Sequence, residues 1–120
     1  MSIKSFGFGV HKYKIAHVVR YATMTIFLRY GDSTTSKQKM AIFSINNRDT
    51  ATHIQTLAKA ESPKIYIETV AGSHTDVYVD AGESYPMVEV FSFIPYISTQ
   101  CVLLENATNV DFSQLQEVLL

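Results

Sequence analysis

At 120 residues, 47% hydrophobic and 18% charged, the chain suits one globular domain and is too apolar for a disordered tail. No run approaches the ~20 uncharged apolar residues of a membrane helix. The opening Met1-Ser2-Ile3-Lys4-Ser5 has no signal-peptide apolar core, and a lone Cys101 excludes an internal disulfide or a Cys-rich zinc module, so a soluble cytoplasmic domain without membrane contact is expected.

The net charge of −1 conceals a split. All ten basic residues lie in 1–64 beside only Asp32, Asp49 and Glu61, whereas 65–120 holds eight acids and no Lys or Arg. Such asymmetry points to a polyanion on one side and a different contact, a basic protein partner, on the other. The alternative is that the two halves neutralise each other across one fold.

Along the chain, 10–21 (VHKYKIAHVVRY) alternates loosely and is rich in β-branched and aromatic residues, which predicts a strand. Residues 23–30 (TMTIFLRY) alternate cleanly, with Met24, Ile26, Leu28 and Tyr30 on one face and Phe27 and Arg29 on the other. Gly31 to Ser36 reads as a polar turn and 37–45 (KQKMAIFSI) as a third strand, so 10–45 is a meander. The period then changes. Asn46 to Thr50 supplies cap-type residues, and Ala51, Ile54, Leu57 and Ala58 follow at helical spacing until Ser62-Pro63, predicting a short helix over about 50–61. A fourth strand is expected at 64–70, a turn at Ala71-Gly72-Ser73, a small strand at 76–80, and a turn at 81–84. A strong strand is expected at 87–94, stopped by Pro95, with a shorter one within 96–104. The tail 105–120 is expected to be helical from Asp111, with Gln114 as the far end of a capping box and Phe112, Leu115, Val118 and Leu119 forming an apolar stripe. That stripe would complete the domain's own core or recruit a partner.

Three meandering strands, a bridging helix and two further strands resemble the layout of OB-fold single-stranded DNA-binding proteins. The passage from Arg48 to Glu68 is similar to their helix-to-fourth-strand segment, ending in Ile65-Tyr66-Ile67-Glu68, with Val77-Tyr78-Val79 and Val88-Glu89-Val90 where the hairpin and closing strand stand. The resemblance implies a mainly β, Greek-key barrel over roughly 10–95, in a divergent member of that group. It also implies sequence-tolerant binding of single-stranded nucleic acid, DNA before RNA, with no cofactor.

The residues offer a matching surface. With Met24, Ile26 and Leu28 inside, Phe27 and Arg29 face outward; with Met40 and Ile42 inside, so do Lys37, Lys39 and Phe43. Tyr66 and Lys64 extend the surface on the fourth strand, and Lys12, Lys14 and Arg20 on the first. Aromatic rings stack bases and the cations track phosphates. The competing reading packs the two phenylalanines under a loop or a second copy of the chain, in a protein-interaction module or homo-oligomeric assembly subunit whose acidic C-terminal half meets a partner.

Catalysis finds little support. Cys101 sits in an apolar run, as a buried thiol would. The glycines of Phe6-Gly7-Phe8-Gly9 precede no helix and form no phosphate loop. His11, His17, His53 and His74 are scattered, and His74-Thr75-Asp76 is the only close His–carboxylate pair. A metal would need a third ligand, for which Asp80 is the near candidate, so these side chains read as surface loop residues, and Asp76, Asp80 and Glu83 as solvated charge. No enzyme and no metal are expected.

Overall fold

Valine, isoleucine, threonine and aromatic residues dominate the alternating segments, and nearly all of them form strands. The computed structural model describes residues 3–7, 9–34, 37–82, 84–93 and 101–120. Among the described residues, ten strands form two five-stranded antiparallel sheets. Sheet I contains β1 (Ile3–Gly7), β8 (Pro86–Ser92), β3 (Thr23–Asp32), β4 (Lys39–Asn47) and β5 (Thr52–Ala60), in that spatial order. Sheet II contains β10 (Gln116–Leu119), β6 (Lys64–Val70), β7 (His74–Asp80), β2 (Lys12–Val19) and β9 (Cys101–Asn106). Their inner faces share one core, in which Ile15, Val18, Ile65, Val77 and Val79 of sheet II meet Met24, Ile26, Leu28, Phe43, Ile45, Val88 and Val90 of sheet I.

The mainly β expectation and the strands near 12–19, 23–32, 39–47, 64–70, 74–80 and 86–92 stand. The barrel does not: among the described residues both sheets keep two edges, so the fold is two stacked open sheets. The helix over 50–61 is corrected to strand β5. Of the residues at helical spacing, Ala51 precedes the strand, and Leu57 is a bulge residue between Thr56, opposite Phe43, and Ala58, opposite Ile42. Ile54 faces inward while Leu57 is 56% exposed, so the stripe has no single face to bury, and eight residue pairs with β4 override helix propensity.

The C-terminal helix is corrected too. Asp111 does cap a turn, accepting from the Ser113 N–H (3.1 Å) and hydroxyl (2.7 Å), but the helix is one 3-10 turn, Phe112–Gln114. β10 then pairs with the edge of β6, and Leu120 is buried with its N–H on Pro63 O. Among the described residues there is no α-helix. Pro95 as a strand stop, Phe8, Glu83 and residues 96–100 lie outside the described residues, as does the Cys101 side chain. No helix among the described residues is long and apolar enough to cross a membrane.

Polar side chains tie the sheets together inside this core. The Tyr30 hydroxyl accepts from the Lys64 N–H (2.6 Å) and donates to the Lys64 carbonyl (2.8 Å). Asn47 donates to Val18 O (3.1 Å), and Thr52 of sheet I shares hydroxyl hydrogen bonds with Thr69 and Thr75 of sheet II. Each satisfies groups that would otherwise be buried unpaired. The predicted turn Ala71-Gly72-Ser73 joins β6 to β7; Gly72 takes φ +79°, and its N–H donates to Asp49 Oδ1 at 2.7 Å.

Candidate functional site

At one end of the sandwich the sheets part around a cleft of about 500 Å³, a size common among ligand sites. The end of β3 contributes Tyr30, the start of β4 Lys39, and the start of β6 Lys64 and Tyr66; Asp80, Gly82, Glu117 and Leu119 complete it, with Ser62 from the β5–β6 turn. A smaller hollow of about 180 Å³ shares Tyr30, Lys39, Asp80 and Gly82 and adds Asp32 and Lys37. The structure therefore gathers Lys37, Lys39, Lys64 and Tyr66 of the sequence-predicted surface at this end.

Local pairing sets the charge here. The Lys64 ammonium lies 2.8 Å from Glu117 Oε1 and 5.4 Å from the Tyr66 ring centroid. Its pKa is held above the usual lysine range, first by the Glu117 carboxylate and then by Tyr66, with burial opposing them. Burial pushes the Tyr30 phenol up. Asp32 accepts from the Thr34 N–H (2.9 Å), the Thr34 hydroxyl (2.8 Å) and the Ser84 N–H (3.2 Å), which holds its carboxyl below the ordinary range. Lys37 is largely exposed, 3.8 Å from Glu61.

The other predicted residues are elsewhere. Phe27 and Arg29 do face outward on sheet I, where Phe27 stacks on Phe91 (5.1 Å) and Arg29 pairs with Glu89 (3.4 Å). Phe43 is corrected: it is fully buried and cannot stack a base. The parity of β4 is the reverse of the expectation, with Ala41, Phe43 and Ile45 inward and Met40 and Ile42 outward. Lys12 and Lys14 lie on the outer face of sheet II. There Lys12 sits 5.2 Å from the Phe112 ring and Lys14 lies 3.1 Å from Asp76. Arg20, exposed, stacks on its neighbour Tyr21.

Tyr66 also packs against Phe112 (5.0 Å), because the segment between β9 and β10 crosses the outer face of sheet II. The same crossing covers Tyr78, whose phenol burial, aided by Asp76, pushes up to about 12. A crossing strap leaves no trace in local periodicity, so sequence reasoning missed it.

The His74–Asp76 pair is on strand β7, not in a loop, and its neighbour is His17 rather than Asp80. Among the described residues, His17, His74 and Asp76 are the group whose ligand atoms, within 4.8 Å of one another, are placed to share a metal ion. Only pairing of β2 with β7 brings His17 there, fifty-nine positions from Asp76 in sequence. No family model, no curated protein and no solved structure matches this chain.

Proposed function

We propose that the protein is a non-catalytic, cytoplasmic binding module for single-stranded nucleic acid, and that the end cleft is its contact surface. The observation that carries this reading is the convergence of Lys37, Lys39, Lys64 and Tyr66, from two separate stretches of sequence, on one opening. Lys39 and Lys64 neutralise successive phosphates, the largely exposed Lys37 extends the track in competition with Glu61, and Tyr66 contacts a base with the part of its ring that Phe112 leaves open. A phosphate at Lys64 competes with Glu117, so binding is modest and salt-sensitive.

The test is a fluorescence-anisotropy titration of labelled dT and rU oligomers, with duplex DNA as control, at several salt concentrations. Three neutralised phosphates give a log–log salt slope of about −2 for a single strand. Lys39→Ala with Lys64→Ala removes most of that slope. Tyr66→Ala costs about 1 kcal/mol, the low end for base stacking, because one side of the ring is already taken. Binding that ignores salt, or that survives the double lysine variant, overturns the reading.

One observation favours a second reading, a self-associating assembly module. The outer face of sheet I carries Phe91, Phe27 and Ile42 opposite one another across β8, β3 and β4. Phe93 (49% exposed) and a groove of about 210 Å³ beside Met40 and Ala58 extend this apolar face. A two-fold axis parallel to the sheet, in the plane between two copies, lays this row on itself in a second copy. No binding of oligomers at low salt, together with dimers that Phe27→Asp dissolves, would move the assignment there.

A further inference from the structure

We infer that His17, His74 and Asp76 form a binding site for a divalent transition-metal ion of the kind that prefers imidazole, zinc or a near neighbour. The site lies on the outer face of sheet II, at the opposite end of β7 from the end cleft, and does not depend on the nucleic-acid reading. His74 and Asp76 stand two apart on β7 and so share a face. His17 is directly opposite Asp76 in the β2–β7 register. The three donors thus come from paired central strands of one sheet, a more rigid support than loops give.

The geometry is close to that of a ligated ion. His17 Nδ1 lies 2.7 Å from Asp76 Oδ1, His74 Nε2 lies 3.2 Å from Asp76 Oδ2, and the two rings are 4.6 Å apart. Metal bonds of about 2.0–2.2 Å in tetrahedral geometry set donor atoms about 3.4 Å apart, so small side-chain rotations admit the ion. The far nitrogen of His74, Nδ1, lies 2.7 Å from Ser73 Oγ. With its proton donated to that hydroxyl, Nδ1 leaves the Nε2 lone pair free for a metal, the arrangement usual for ligating histidines. The Asp76 side chain is 7% exposed, whereas His17 and His74 are 32% and 24% exposed. The anionic ligand is therefore held and the open side faces solvent, which leaves a fourth position for water or another ligand.

Lys14 is the opposing element. Its ammonium lies 3.1 Å from Asp76 Oδ2 and competes for the same lone pairs. A cation entering here must displace that ammonium or share the carboxylate with it, so the site is exchangeable rather than permanently filled. This yields an unusual signature: removing a neighbouring side chain tightens the metal.

The experiment is calorimetric titration of Zn²⁺ into the metal-free full chain, with Co²⁺ absorption reporting coordination geometry. One ion binds per chain, and Co²⁺ develops the intense visible bands of a tetrahedral site. His17→Gln and His74→Gln, both partly exposed positions whose folding circular dichroism verifies, each weaken Zn²⁺ by at least about tenfold, and Ser73→Ala weakens it by about tenfold. Lys14→Met tightens Zn²⁺, while His53→Gln on the other sheet leaves it unchanged. No Zn²⁺ binding by the unsubstituted chain overturns the proposal. So does an affinity that follows His53, or one indifferent to both His17→Gln and His74→Gln.

Discussion

The two sheets have equal strand numbers and a common core, yet their outer faces differ in kind. Sheet I presents an apolar row, Phe91, Phe27 and Ile42, with the single ion pair Arg29–Glu89 beside it among the described side chains. Sheet II presents a network in which Asp76 meets Lys14, His17 and His74, while Lys64 meets Glu117 and Phe112 packs over Tyr66 and Tyr78. The difference follows from chain descent. Four strands of sheet I come from the basic half of the sequence and four of sheet II from the acidic half. The exceptions are β8, which carries Glu89 into sheet I opposite Arg29, and β2, which carries Lys12 and Lys14 into sheet II beside Asp76 and Glu105. Exchanging one strand each way neutralises part of both faces without mixing the halves.

The sharpest break of that comparison lies within sheet I, between its two faces. Phe43→Ala empties a fully buried site and costs about 3–5 kcal/mol in denaturant melts. Phe27→Ala, on the outer face, costs about 1–2 kcal/mol, since part of its ring already meets water. Equal costs would mean that the apolar row is covered in solution, as a second copy would cover it.

A smaller loss tests the tie between sheets. Tyr30→Phe leaves both the N–H and the carbonyl of Lys64 without the phenol and costs about 1–3 kcal/mol, whereas Tyr85→Phe on the surface changes the melt little. Smallest is Arg29→Ala. With the pair's side chains 39% and 30% exposed, the change stays within about 1 kcal/mol and fades further in salt. A larger value would show Glu89 to be more than a neutraliser of the basic sheet.

Much of the strand content was legible because burying one face of a strand imposes alternation, and Met24, Ile26, Leu28 and Tyr30 show it without interruption. The same rule failed on β4, where Met40, Ala41, Ile42 and Phe43 are all apolar and parity has no contrast to read. It failed on β5 because Thr52 and Thr56 flank Ile54 on the inward side, so no apolar alternation shows, while the exposed bulge residue Leu57 falls three after Ile54. Of the residues lining the end cleft, Lys37, Lys39, Lys64 and Tyr66 stood among the sequence's candidate binding residues, whereas Tyr30, Asp80 and Glu117 did not. The His17–His74–Asp76 group was half visible, as His74 and Asp76; its third member depends on which strand lies beside β7.

By itself the sequence determined a mainly β chain, a charge divided between its two halves, and the apolar residues able to fill a core. These are properties of composition and local period, which act over a few residues. Tertiary structure decided that two open sheets form in place of a closed barrel, and that residues 52–60 and 116–119 are strands. It also decided which carboxylates Lys14, Arg29, Lys37 and Lys64 meet. Those outcomes turn on pairing between segments tens of residues apart, where the gain is backbone hydrogen bonds and shared apolar burial, quantities that local periodicity does not carry.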